Sequence, residues 1–306
     1  MSISLGRILV PMDFSGSATQ ACRVAVKLAR QYGAELHVLR VAAFRNAERH
    51  DPLAHLADPE RVKAELEIAA REAIDQLLAE ADTSDLTIRP VFRSGIAPGP
   101  AILDYATEED VGLVVMGTHG RRGLNHLMLG SVAEEVVRRA ECPVLTVRAS
   151  ESPTAVTWKR IVVPLDFSEH TELALRTAYH LAADFGASLQ LLHVVQPLRA
   201  MGISNYGHEI SRNWEVSQKR AAEELMQKAC DAIPMTAITH EKKTVTGEPA
   251  EAIATVTKED GGDLIVIPTH GRTGLRQFLL GSVTERVVRH AHCPVLTLKP
   301  FGRALI

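Results

Sequence analysis

Two stretches of this chain occur twice. Ile8-Leu9-Val10-Pro11-Met12-Asp13-Phe14-Ser15 returns as Ile161-Val162-Val163-Pro164-Leu165-Asp166-Phe167-Ser168. A second block opens with Thr118-His119-Gly120-Arg121 and closes with Cys142-Pro143-Val144-Leu145-Thr146. It returns from Thr269-His270-Gly271-Arg272 to Cys293-Pro294-Val295-Leu296-Thr297. The first pair lies 153 residues apart and the second 151. So near-constant an offset requires two homologous units with a small length change inside one of them. The polar stretch from Ala149 to Thr154 contains Pro153 and reads as a linker. Domains over 1–150 and 155–306 are expected, and the 306-residue length fits two domains of ordinary size.

Within a unit the apolar pattern alternates between strand and helix. Arg7 to Pro11 is a short β-rich run. Residues 16 to 32 carry Ala18, Ala21, Cys22, Ala25, Leu28 and Ala29 on one side, and Gly33 stands where a helix C-terminus wants a left-handed residue. Strands follow at Glu35–Val41, Leu86–Phe92, Leu113–Met116 and Val144–Val147. Helices lie between them near 59–80, at Pro98–Thr107 and from Ser131. In the second copy a long helix is expected over 212–231. This order predicts an α/β fold: two tandem domains, each a five-stranded parallel open sheet with helices on both faces. Ligands of such sheets sit at the carboxyl ends of the strands, near a switch in strand order. Asp13 and Gly117 both fall just after strand ends.

Charge and composition remove several functional classes. A net charge of -3 gives no electrostatic reason to expect nucleic acid or an anionic membrane as partner. No apolar run approaches the ~20 residues of a bilayer span, so a cytoplasmic protein is expected. The four cysteines form no C-x-x-C pair, and Cys142 and Cys293, each followed by a Pro, are expected to be small buried hydrophobes.

The loop after the fourth strand carries the chemistry. Gly117-Thr118-His119-Gly120, nine residues, then Gly130-Ser131-Val132 spells G-x-x-G-x9-G-S. Glycines let a backbone approach phosphate and adopt positive φ. Ser131 is expected to cap a helix whose first N–H groups face an anion. One dipole contact contributes only ~0.3–1 kcal/mol, against about 8 kcal/mol for micromolar binding, so many donors must act together. There is no Walker A sequence, nor a G-x-G-x-x-G after the first strand.

Together, Pro11-x-Asp13-Phe14-Ser15 and G-x-x-G-x9-G-S resemble the universal stress protein family, over nearly the whole chain. The resemblance implies an adenine nucleotide alpha hydrolase-like fold, ATP binding and a role in stress response rather than a defined reaction. It also implies dimers through an edge strand, as a homodimer or an internal pseudo-dimer, and an unknown regulatory protein partner. It assigns Asp13 to the ribose or base side and Val41, through its backbone, to adenine, with Pro11 and Met116 also among the cofactor-binding residues. Gly117, Gly120, Gly130, Ser131 and Val132 are assigned to the ribose and phosphates, and Mg2+ is chemically expected with the nucleotide. The matching positions in the second copy are Asp166, Val194, Gly271, Gly281, Ser282 and Val283. There Pro268 replaces the first glycine. Proline lacks an N–H and fixes φ near −65°, so the first domain is expected to be the stronger ATP site.

Plainer readings stand beside these. Asp13, Asp166 or Ser15 would also serve as helix caps. His119 and His270 have no metal-ligand partners at a usable spacing and are expected to position the loop. Arg121, Arg122 and Arg272 are expected to be solvated unless they reach phosphate. Ser15, His119 and Asp13 lack the elbow of a hydrolase triad. No lysine or general base stands out for phosphoryl transfer, so a regulator is expected rather than an enzyme. The alternatives are a slow ATPase and a scaffold whose second cleft takes a different ligand. The loops over 42–57 and 197–214 are expected to border the two clefts.

Overall fold

The structure is a computed structural model that describes residues 3–43, 59–79, 83–118, 129–149, 157–198, 208–233, 235–270 and 280–305. It divides into two compact units, with Ser4–Val156 in one and Thr157–Ile306 in the other.

In the first unit the strands are β1 (Arg7–Pro11), β2 (Glu35–Ala43), β3 (Ile88–Gly95), β4 (Leu113–Gly117) and β5 (Val144–Val147). The helices are α1 (Gly16–Tyr32), α2 (Pro59–Ala79), α3 (Pro98–Glu108) and α4 (Ser131–Arg139). The strands are parallel and lie in the order β3-β2-β1-β4-β5. Right-handed crossovers from β1 outward to β3 put α1 and α2 on one face. The return crossovers to β4 and β5 put α3 and α4 on the other, where these two helices pack together. The direction of winding switches between β1 and β4. The second unit repeats this with β6 (Arg160–Pro164), α5 (Thr171–Phe185), β7 (Ser188–Val195), α6 (His208–Asp231), β8 (His240–Thr246), α7 (Pro249–Glu259), β9 (Leu264–Pro268), α8 (Ser282–His290) and β10 (Val295–Leu298), in the order β8-β7-β6-β9-β10.

Local chemistry explains the boundaries. Gly33 and Gly186 take φ of 63° and 65° at the ends of α1 and α5, where a Cβ would be strained. Pro98 and Pro249 open α3 and α7, where a missing N–H costs nothing. The central strands β4 and β9 are buried along nearly their whole length. Side chains such as Val114, Val115 and Val266 exclude water completely, each contributing about 1.5–3 kcal/mol. All four cysteines are reduced and buried, and burial pushes the Cys22 thiol up to about 12.

Some edges differ from expectation. The third strand starts at Ile88 rather than Leu86, because Leu86 closes a turn with its N–H on the Thr83 carbonyl. The second strand runs on to Ala43, paired with Gly95. The long helix of the second unit begins at His208, four residues early. Neither Ser131 nor Ser282 caps its helix. Gly130 and Gly281 hold the cap positions, and the serines are the first helical residues.

Candidate functional site

Both clefts lie at the switch in strand order. In the first domain, β1 ends at Pro11 and the chain turns through Met12-Asp13-Phe14-Ser15 into α1. The Ser15 N–H donates to Asp13 Oδ1 at 3.0 Å, and Ser15 Oγ in turn accepts from the Ala18 N–H at 3.3 Å. Ser15 is therefore the cap, while Asp13 fixes the turn ahead of it. The second domain keeps the first bond, Ser168 N–H to Asp166 Oδ1 at 3.0 Å, but not the second. Its helix begins later, after His170, which makes no side-chain cap bond. Thr171 reaches back instead, donating its hydroxyl to Asp166 Oδ1 at 3.3 Å.

The turn holds bulky residues in the left-handed region. Phe14 has φ of 62° and Phe167 of 58°, a conformation that costs roughly 1–2 kcal/mol for a residue with a Cβ. Two features missed by sequence reading accompany it. Arg40 donates from Nη1 to the Met12 carbonyl at 3.2 Å and lies over the Phe14 ring at 5.6 Å. At the equivalent place in the second domain, His193 Nδ1 lies 2.7 Å from the Leu165 carbonyl, and its ring stacks on Phe167 at 4.6 Å. A carbonyl only accepts, so that nitrogen carries the proton. The signal available in the sequence was a Phe after each Asp, at a position that favours glycine.

Val41 lies on β2 past the end of β1. The β1–β2 ladder stops at Pro11↔Leu39, followed by one bond from the Met12 N–H to the Leu39 carbonyl. With a period of two, the peptide groups of Val41 point to the same side as those of Leu39, into the space beyond the end of β1. They offer one donor and one acceptor for the edge of a planar ligand. Val194 repeats this arrangement beyond Pro164. Met116, the last residue but one of β4, is buried.

The glycines meet a requirement other than the expected one. Gly117 does not have positive φ, and Gly130 and Gly281 sit at −66° and −60°. Gly117 is needed for space. A Cβ there would lie 2.5 Å from Ser17 Oγ and 2.8 Å from both the Ala18 nitrogen and the Ser17 carbonyl carbon. A Cβ on Gly281 would come within 3.1 Å of the Thr269 carbonyl. The N–H of Gly130 is not offered to a phosphate either. It donates to the Thr118 carbonyl at 2.7 Å, as Gly281 does to Thr269 at 2.8 Å. The donors left for an anion are the first-turn N–H groups of α4 and α8, from Ser131, Val132 and the following Ala133, and from Ser282, Val283 and the following Thr284. Gly120, Gly271, His119, Arg121, Arg122 and Arg272 lie outside the described residues, as do 44–58 and 199–207 of the two bordering loops.

Pro268 changes its surroundings rather than its ladder. The bond that continues the β9–β10 ladder comes from Thr269, whose N–H meets the Leu298 carbonyl at 2.9 Å, as Thr118 meets Val147 in the first domain. The Pro268 carbonyl accepts the Thr284 hydroxyl at 2.8 Å, where the first domain has Ala133. At the positions of Ser17 and Ala18 the second domain has His170 and Thr171. His170 and His270 both meet the edge of exposed Phe301, at 5.6 and 6.0 Å. His270 is nearly buried and pairs Nδ1 with the Thr269 hydroxyl at 3.0 Å.

Among the described residues no three His, Cys, Asp or Glu side chains gather as a metal site, and no helix is long and apolar enough to cross a membrane.

Comparison with known proteins agrees with this architecture. The sequence profile of the Universal stress protein family matches twice, over residues 5–148 and 157–299. A universal stress protein of Methanocaldococcus jannaschii is 33% identical over 145 residues, 46% of this chain and 82% of that protein. One from Mycobacterium tuberculosis is 29% identical over 205 residues, 66% of each. The crystal structure of a universal stress protein from Archaeoglobus fulgidus superposes with a TM-score of 0.69 at 20% identity, covering 99% of this chain and 98% of that one, which speaks to the fold alone. With two matched segments spanning nearly its whole length, this chain belongs to the universal stress protein family and carries two of its domains in tandem.

Proposed function

We propose that the first cleft binds ATP and that its occupancy, rather than turnover, is what the protein reports in a stress response. One observation carries the reading. A turn-fixed carboxylate (Asp13), a strand-end peptide directed past the end of β1 (Val41), a close-packed glycine (Gly117) and the first turn of α4 (Ser131, Val132) converge on one strand switch. Asp13 suits ribose hydroxyls, the Val41 peptide suits the edge of adenine, and the α4 amides suit phosphate. Their donors fit a phosphate chain, with Mg2+ arriving on the nucleotide.

The second cleft is the weaker or the altered one. Its Asp166 and Val194 persist, but Pro268, Thr284, His170 and Phe301 reshape the place where the phosphates would lie. That contrast favours a second reading for this domain alone, in which it takes a different small ligand. Pairing of two chains, or of the two domains as an internal pseudo-dimer, an action in the cytoplasm and a regulatory protein partner complete the proposal. Titration calorimetry with Mg–ATP tests it directly: one tight event removed by Asp13→Ala is expected. Two equal tight sites would overturn the ranking of the clefts. Robust multiple turnover would replace the regulator with an enzyme.

A further inference from the structure

Each domain builds a strained turn and then holds it with a side chain from the neighbouring strand. The two copies use different residues for this. Arg40 and His193 occupy the same β2 and β7 position, contact the same carbonyl (Met12 or Leu165) and cover the same left-handed Phe ring. A guanidinium and an imidazole share little beyond a planar N–H donor on a flat face that packs against an aromatic ring. Their common geometry therefore identifies what the position must supply. We infer that Arg40 and His193 are positioning residues: they clamp the Phe14 and Phe167 turns at positive φ and so aim the Asp13 and Asp166 carboxylates into the clefts.

The chain of contacts is short. The clamp holds the carbonyl immediately before the Asp and the ring immediately after it. With both neighbours fixed, the Asp carboxylate meets the amide two residues on, at 3.0 Å in each domain. Without the clamp, Phe14 is expected to relax toward negative φ, where the Ser15 amide turns away from Asp13. The consequence for ligand binding rests on the nucleotide reading above; the clamp itself does not.

Glycine provides the decisive test, because it adopts positive φ without strain. Four forms of the full chain are compared: wild type, Arg40→Ala, Arg40→His and Arg40→Ala with Phe14→Gly. Hydrogen exchange of the Ser15 amide is measured in nucleotide-free protein, and ATP affinity is measured separately. In Arg40→Ala the amide is expected to exchange roughly tenfold faster, and ATP affinity to fall by a similar factor. Arg40→His, copied from the second domain, keeps most of the protection. Adding Phe14→Gly to Arg40→Ala restores it. Unchanged Ser15 exchange in Arg40→Ala overturns the inference, as does failure of glycine to restore it. A fall in ATP affinity with unchanged exchange also overturns it, since Arg40 would then act on the ligand by charge. If exchange behaves as expected but wild type binds no ATP, the clamp stands and the nucleotide reading falls. Should Arg40→Ala fail to fold, His193→Ala with and without Phe167→Gly repeats the test at the Ser168 amide.

Discussion

Replacing Gly117 by alanine tests why the first cleft keeps a glycine where the second has proline. φ at Gly117 is not positive, so alanine meets no backbone penalty there. The penalty is contact: the new Cβ would lie 2.5 Å from Ser17 Oγ and 2.8 Å from two backbone atoms of Ser17 and Ala18. The hydroxyl swings aside easily, but the backbone atoms move only if the first turn of α1 moves. Overpacking of this kind costs about 1–3 kcal/mol. For a unit of about 150 residues that lowers the midpoint of unfolding by roughly 2–4 °C per kcal/mol. The displaced turn carries Ser15, whose amide holds Asp13, so ATP affinity of the first cleft falls with it. Pro268→Ala is the control, because α5 starts two residues later than α1 does in the aligned repeat and His170 stands in place of Ser17. Calorimetric scans of both variants, with titrations of Mg–ATP, check this. An unchanged midpoint and affinity in Gly117→Ala would refute the packing argument and return the glycine to a hydrogen-bonding role.

Other expectations concern stability. Tyr105→Phe removes the hydroxyl 2.8 Å from Nδ1 of fully buried His37, and an orphaned buried polar group costs about 1–3 kcal/mol; chemical denaturation should show it, and a neutral result would mean another partner takes over. The Lys243 hydrogen bond, helped by Gln190, holds the Asp260 carboxyl below its ordinary 3.8. The stability it contributes is present above 3.8 and is lost as pH falls through the lower folded value. Lys243→Met should therefore flatten the acid limb of the melting profile below 3.8, and an unaltered limb would count against this pair. Lastly, the Arg30–Asp85 bridge of the first domain is matched by Ala183 and Ala237 in the second, which line an open groove of about 310 Å³ with Lys159 at its edge. Copying the pair as Ala183→Arg with Ala237→Asp should raise the melting midpoint slightly, and a lowered one would show that the groove is shaped for something else.

The sequence by itself determined the repeat and the strand–helix alternation, because these follow from periodicity and from glycine and proline at chain reversals. Arg7 to Pro11 and Val144 to Val147 needed no tertiary information, since short β-branched runs between turns have one reading. That the candidate residues fall just past strand ends was also legible, but not what each glycine does. Gly117 reads in sequence as a glycine for positive φ or phosphate approach, and only the approach of α1, which begins a hundred residues earlier, shows it to be a matter of space. Gly130 resembles a phosphate donor until the fold gives its N–H to Thr118. Arg40 and His193 were invisible because their roles depend on strand register: β2 must lie beside β1 before residue 40 meets the carbonyl of residue 12. Local propensity and pattern act along the chain, while hydrogen-bond partners and clearances are set by segments far apart in it, and those only the tertiary structure decided.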